Sequence, residues 1–348
     1  MDKLHEKWMR LAIEEAQKGY GFVSPNPLVG AVIVKEGKIL GKGYHHQCGM
    51  PHAEVEAVRD AEANGYSCEG SEIYVTLEPC CTYGKTPPCT ELICSRKFKF
   101  VSIGTLDPNP AHAGRAMKIF DEHGISYEVG VCEKECRDLN RIFFKYITSN
   151  RPYVLLKMGV TLDGKIACAN GCSKFITGEI ARQRVQYLRR GFDAIMVGAN
   201  TIRQDLPTLF ARNDDGSLFE RKMKRFIATT SLNQNDLEVL YGNVESVSDF
   251  ETVDVSTPQK WDAFLAALAD RKITSLFLEG GSELAASALN ANIVDRVEFH
   301  IAPKIMGGKD SISAVGGISP IDLSNLCTLD NVQVMQLGND IAVAGDIK

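Results

Sequence analysis

Three potential metal ligands, and the residues around them, limit what this chain can fold into more than any other feature does. They stand in Pro51-His52-Ala53-Glu54, in Glu78-Pro79-Cys80 and, nine positions on from Cys80, in Pro87-Pro88-Cys89. Proline is favoured at the first helical position, so Pro51 and Pro87/Pro88 each predict a helix whose first turn carries His52 or Cys89. Cys80 follows the strand-like run Glu72 to Leu77. A single ion bound by all three requires two helix starts and a strand end to meet at one point, which is α/β architecture.

Helix N-termini favour thiolates, the form in which Cys80 and Cys89 act as ligands. Two thiolates and a neutral imidazole leave the fourth tetrahedral position open to water, as in a catalytic rather than a structural zinc site. Glu54 flanks the same point and can take a proton from that water and return it to a departing amine. The set supports hydrolytic deamination, with His-x-Glu and Pro-Cys in the roles they hold in zinc deaminases. Three alternatives remain at this level. Cys81 could replace Cys80, the site could be structural, or His52 and Glu54 could be ordinary first-turn residues beside buried cysteines.

The rest of the chain sets the frame. At 348 residues it exceeds what one hydrophobic core organises, and two domains are expected. Elements alternate strand-like and helix-like up to a helical stretch, Glu133 to Tyr146. After the break Ser149-Asn150-Arg151-Pro152 a new strand, Tyr153 to Met158, begins. The expected division is 1–148 and 149–348. The second part alternates again, with helix Glu179 to Arg190 closed by Gly191, a poorly patterned stretch beyond Ala228, helix Lys260 to Asp270, and strand Ser275 to Leu278 running into Glu279-Gly280-Gly281-Ser282. A glycine turn between strand and helix gathers backbone N–H groups where phosphate binds. No Gly-x-Gly-x-x-Gly follows any strand, so a Rossmann site is not expected.

A net charge of -5 gives no field for collecting a polyanion, so nucleic acid is not an expected partner. No apolar run approaches a membrane span, and the first nineteen residues read as an amphipathic helix rather than a leader. The eleven cysteines follow no disulfide framework. A cytoplasmic location is expected.

The long thiol segment Pro79 to Cys89 departs from the Cys-x-x-Cys of base and nucleoside deaminases. Together with Pro25-Asn26-Pro27-Leu28-Val29-Gly30, Asp107-Pro108-Asn109-Pro110, Leu156-Lys157-Met158-Gly159, Thr161-Leu162-Asp163-Gly164-Lys165, Glu279-Gly280-Gly281 and Ala302-Pro303-Lys304, it closely resembles the bifunctional riboflavin-biosynthesis deaminase/reductase family over nearly the whole chain. The resemblance implies a cytidine-deaminase-like three-layer domain followed by a dihydrofolate-reductase-like domain. The first would deaminate 2,5-diamino-6-(5-phosphoribosylamino)pyrimidin-4(3H)-one, and the second would use NADPH to reduce the ribosyl group of the product to ribityl. One zinc per chain and a homo-oligomer are implied.

Residue by residue, the resemblance gives zinc to His52, Cys80 and Cys89, proton transfer to Glu54, and deaminase substrate contacts to Asn26, His45, Lys85, Asp107 and Asn109. It carries NADPH contacts onto Gly159, Phe175, Thr201, Asp205, Thr230 and the turn Gly281, Ser282, Glu283, Leu284, Ala285, Ala286 and Ser287. Reductase substrate contacts fall on Lys157, Ser173, Arg189, Leu209, Arg212 and Glu279, with Arg189 and Arg212 suited to clamp a phosphate. Phe175 stands where the family shows Trp. Lys157 and Asp163 lie near the expected hydride site, and the sequence leaves the proton donor unassigned.

Overall fold

A continuous apolar run from Ala31 to Val34 gives a strand that is buried on both faces, and the first unit is layered around it. The computed structural model describes residues 3–83, 87–110, 112–242 and 247–348. Helix α1 (Lys3–Gln17) precedes β1 (Gly30–Lys35), β2 (Lys38–Tyr44), α2 (Ala53–Ala63) and β3 (Glu72–Val75). Then come α3 (Cys89–Ser95), β4 (Phe100–Ile103), α4 (Arg115–Glu122), β5 (Ser126–Val129), α5 (Glu133–Leu139) and α6 (Arg141–Ser149). The sheet order is β2-β1-β3-β4-β5, with β1 antiparallel to both its neighbours and β3, β4 and β5 parallel. Ala31 and Ile33 pack with Ala57 and Val58 of α2, Ile93 of α3 and Phe120 of α4. Val32 and Val34 face the other way, against Trp8, Met9 and Ala12 of α1 and Cys136 of α5. Helices therefore cover both faces.

Helix α2 lies directly on β2 because Gly41 and Gly43 offer no side chain. A Cβ at Gly43 would stand 2.3 Å from the Ala57 amide nitrogen. This close approach fixes the end of α2 that carries Glu54. The helical stretch expected over Glu133 to Tyr146 is instead two helices broken at Asn140. Its buried side chain accepts from the Leu28 N–H and donates to the Leu28 carbonyl, both at 2.8 Å, and so satisfies backbone groups outside any ladder. The expected domain division at 148/149 falls in the last turn of α6.

The chain divides into two compact units, Met1–Asn150 and Arg151–Lys348. The second contains β6 (Tyr153–Thr161), β7 (Lys165–Ala167), α7 (Glu179–Arg190), β8 (Ala194–Gly198), α8 (Ala199–Asp205), β9 (Lys224–Ala228), α9 (Gln234–Tyr241) and β10 (Phe250–Val253). It continues with α10 (Pro258–Asp270), β11 (Ser275–Glu279), α11 (Ser282–Asn290), β12 (Arg296–Ala302), β13 (Ile312–Ser313), β14 (Leu329–Leu337) and β15 (Asp340–Ile347). Eight strands form one sheet in the order β10-β9-β8-β11-β6-β12-β15-β14. It is parallel from β10 to β12, and β15 and β14 close it antiparallel. On β6, Val154, Leu156, Met158 and Val160 enter a core with Trp261, Leu265 and Leu284. Period-two alternation sends Lys157 and Gly159 to the opposite face. The poorly patterned stretch beyond Ala228 holds α9 and β10, and α9 starts with a capping box between Asn233 and Asp236. Among the described residues no helix is long and apolar enough to cross a membrane.

Candidate active sites

In the first unit the three candidate ligands converge. His52 is the N-cap of α2 rather than a residue of its first turn, in extended backbone at φ −75° and ψ 163°. Cys89 opens α3, with Pro88 as N-cap. His52 Nδ1 lies 3.5 Å from Cys80 Sγ and 3.3 Å from Cys89 Sγ, and the three ligand atoms fall within 4.8 Å of one another. Cys80 Sγ accepts the Cys89 N–H at 3.3 Å, and the Cys80 carbonyl accepts from the backbone and hydroxyl of Thr90. The cysteine segment is thus tied to the start of α3. Cys81 points elsewhere, its Sγ 3.6 Å from His112 Nδ1, which leaves Cys80 in the triad.

Without an ion the triad shares its protons, the Cys89 thiol being pushed well up by its hydrogen bond with Cys80 and by burial. The Cys80 thiol is pulled down to about 4, chiefly by its hydrogen bond with Cys89 and then by His52 against the cost of burial, so it is a thiolate. His52 is raised to about 9 by its hydrogen bond with Cys80. Two sulfurs and one imidazole nitrogen at this spacing are the donor set of a catalytic zinc site. Glu54, almost fully buried in the first turn of α2, has its carboxyl pushed up by burial and lies within reach of Cys89. A buried carboxyl with a raised pKa can both take and give a proton near neutrality.

His45 Nδ1 lies 3.0 Å from the Pro51 carbonyl oxygen, so that nitrogen carries the proton and Nε2 accepts from Asn26 Nδ2 at 3.0 Å. The His45 ring meets His52 edge-on with centroids 5.5 Å apart. Asn26, His45 and His52 are therefore contiguous. Asp107 is buried, with its carboxyl pushed up by burial, and accepts the Asn109 N–H at 2.8 Å. Lys85 lies outside the described residues. Sequence reasoning missed Glu78, whose buried carboxylate accepts N–H groups from Asp107, Gly114 and Ala116. It ties the Asp107 loop and the start of α4 to the strand end that leads to Cys80; its place directly before Pro79-Cys80 was the available signal.

In the second unit a cavity of about 1060 Å³ opens where β6, β8 and β11 end. The turn after β11 has Gly280 and Gly281 at φ +70° and +84°, conformations that glycine adopts without strain, and it brings the start of α11 to the cavity wall. Arg189 donates from Nε and Nη2 to Glu279 Oε2 at 2.9 and 2.7 Å. Lys157, level with Glu279 on the neighbouring strand, is buried, and burial pushes its ammonium down against the pull of Glu279. Asp163 is held well below the ordinary carboxylate range by the Thr161 hydroxyl and the backbone N–H groups of Met306 and Gly307.

Residues 2–105 match the cytidine and deoxycytidylate deaminase zinc-binding region, and residues 152–343 match the RibD C-terminal domain. The chain is 40% identical over 354 residues to the riboflavin biosynthesis protein RibD of Actinobacillus pleuropneumoniae, covering 96% of this chain and 93% of that one. It belongs to the RibD family. Two solved structures are similar over 99% of both chains. One, a diaminohydroxyphosphoribosylaminopyrimidine deaminase/5-amino-6-(5-phosphoribosylamino)uracil reductase from Thermotoga maritima, is 36% identical with a TM-score of 0.85. The other, RibD of Acinetobacter baumannii, is 32% identical with a TM-score of 0.84. As a RibD family member the chain joins a zinc-binding deaminase domain of cytidine-deaminase-like fold to a dihydrofolate-reductase-like reductase domain.

Of the positions carried over from the RibD family into the second unit, Gly159, Phe175, Thr201, Asp205, Thr230, Gly281, Ser282, Glu283, Leu284 and Ser287 line the cavity, as do Lys157, Ser173, Arg189, Leu209 and Glu279. Ala285 and Ala286, both buried in α11, do not. Arg212 does not line the cavity, although its backbone is held to α7 by Gln186 and Arg190. Its side chain donates to the Gly216 carbonyl, and Arg189 is paired with Glu279 and with the Phe210 carbonyl. Phe175 is exposed at φ +63°, its backbone carbonyl accepting from Lys304 Nζ and its ring 5.2 Å from the Arg182 guanidinium.

Proposed function

We propose that the first unit deaminates 2,5-diamino-6-(5-phosphoribosylamino)pyrimidin-4(3H)-one and that the second reduces the product with NADPH to 5-amino-6-(5-phosphoribitylamino)uracil, the two activities dividing near 148/149. The observation that carries this reading is the convergence of His52, Cys80 and Cys89 beside the buried Glu54. One zinc per chain, when bound there, supplies the Lewis acidity that makes water a nucleophile near neutral pH. Glu54 accepts one proton from the attacking water and passes it to the ring nitrogen, then carries the proton of the added hydroxyl to the amino group, which leaves as ammonia. Asn26 and His45, hydrogen-bonded to each other beside His52, present polar edges to the pyrimidine, with Asp107, Asn109 and Lys85 completing the substrate contacts.

In the second unit the NADPH phosphates suit the N–H groups of the Gly280-Gly281 turn. Lys157 and Asp163 are the two groups near the hydride site that could supply the proton that must accompany hydride addition at C1. The firmly ionised Asp163 is a poor donor, whereas a buried lysine whose pKa is pushed down gives up its proton readily. Lys157 is accordingly assigned as donor.

All eleven cysteines are free, which suits a reducing, cytoplasmic compartment. The family resemblance supports a homo-oligomer, to be read by sedimentation. The decisive assay gives the purified chain the diaminopyrimidine ribotide and NADPH and follows ammonia and NADPH separately. Ammonia release that requires about one zinc per chain, followed by NADPH loss, is expected. Ammonia from cytidine or adenosine, with none from the ribotide, would sink the reading.

A further inference from the structure

Lys157 stands level with two carboxylates on three neighbouring parallel strands. Its register partners are Glu279 on β11 and Glu298 on β12. Each carboxylate is also gripped by an arginine of α7. Arg189 holds Glu279 as described, and Arg184 places Nε and Nη2 on Glu298 Oε1 and Oε2 at 3.0 and 3.1 Å. His300, two positions further along β12 and level with Gly159, brings Nε2 to 2.9 Å from Glu298 Oε1. Its ring is fully buried, and among the described residues its Nδ1 has no hydrogen-bond partner.

The charges in this row can be counted. Two guanidinium groups cancel two carboxylates. Glu298 is ionised, pulled to about 2 against its burial by the His300 and Arg184 hydrogen bonds. Burial pushes His300 down, which keeps the ring neutral. A neutral imidazole facing a carboxylate through Nε2 carries its proton there and leaves a lone pair on Nδ1. The one charge left without a counter-ion of its own is the Lys157 ammonium, at the wall of the cavity. Buried ion pairs of this kind are commonly no better for stability than apolar residues of the same volume, so packing alone gives little reason for the Arg184 and Glu298 pair.

We infer that Arg184, Glu298 and His300 form a positioning set for Lys157, holding its ammonium at the cavity from the β12 side as Arg189 and Glu279 do from the β11 side, in the state that can donate a proton. None of the three lines the cavity with Lys157, so they act through it rather than on substrate. The set deepens the reductase reading and rests on it.

The test uses the full-length chain and follows the pH dependence of kcat for NADPH oxidation in the coupled assay. Glu298→Gln removes a negative charge beside Lys157 and leaves Arg184 uncompensated, which disfavours the ammonium. The alkaline limb of the profile should move to lower pH by about one unit, with kcat at neutral pH down roughly tenfold and the KM for NADPH within about twofold. His300→Phe should lower kcat several-fold, and His300→Gln, which keeps a donor toward Glu298, should recover most of that loss. Where Glu298→Gln does not fold, the charge-neutral double variant Arg184→Gln/Glu298→Gln takes its place; it should lower kcat while the limb stays near its wild-type position. An unmoved limb in Glu298→Gln, equal losses in His300→Phe and His300→Gln, or a double variant with wild-type kcat would overturn the inference. A wild-type chain that releases ammonia but never oxidises NADPH would instead overturn the reductase reading itself.

Discussion

The two candidate sites concentrate their chemistry differently. In the first unit four side chains, His52, Glu54, Cys80 and Cys89, carry it, and the sequence places them at two helix starts and one strand end. In the second unit the cavity is walled by many residues of ordinary type, and its least common feature is backbone, the two left-handed glycines after β11. Metal chemistry needs particular atoms, and few residue types own them. Dinucleotide binding needs shape and N–H groups, which almost any residue can supply. The first kind of site is therefore written in residue identity and the second in geometry.

The sharpest way to break this contrast is to remove one atom's function from the concentrated site. Glu54→Gln should lower ammonia release by roughly four orders of magnitude with metal content unchanged. Normal deamination by that variant would mean that proton transfer is not carried by Glu54. In the diffuse site only Lys157 should behave comparably. Lys157→Met should reduce the kcat for NADPH oxidation by roughly 10³-fold and leave deamination intact. A loss under tenfold would remove Lys157 as donor.

Stability should also separate the units. Glu298 has its pKa lowered from an ordinary 4.5 to about 2. A depressed carboxylate contributes stability that is fully present above about 4.5 and lost as pH falls through the folded value, here by about 3 kcal/mol at most. Melting of the chain followed by a reductase-unit signal should drop more steeply between pH 4.5 and 2 than in Glu298→Gln. Parallel curves would show that the carboxylate is not held as described. The smallest effect belongs to Phe175→Trp, which restores an indole at an exposed, already aromatic position. The KM for NADPH should change by less than about threefold, and a tenfold change would make that one side chain a major determinant of a site argued to be diffuse.

Much of this was legible before any coordinates. Helix Glu179–Arg190 has the bounds that its pattern and Gly191 indicate, and the choice between Cys80 and Cys81 is resolved by one contact to His112. What escaped depends on partners distant in sequence. The break at Asn140 follows from two bonds to Leu28, a pairing no local pattern shows. Strands β14 and β15 were missed because β14 leaves most of its side chains exposed and lacks the alternation that marks a half-buried strand. Arg212 has the right chemistry for a phosphate, and its hydrogen bond to the Gly216 carbonyl is likewise invisible in the sequence. Glu298 and His300 look unremarkable in sequence and gain meaning only from the register that sets them beside Lys157 and Gly159.

The position of β6 between β11 and β12 also bears on synthesis. The first unit's ligands are all present once Cys89 has been made, and its sheet is complete at Val129. Lys157 emerges early in the second unit but must wait for Glu279 and Glu298, more than a hundred residues later, before its strand has either neighbour. On a ribosome the metal centre can close while the reductase sheet is still without its middle. Translation interrupted soon after Arg151 would thus leave all three candidate zinc ligands made but no pocket for hydride transfer.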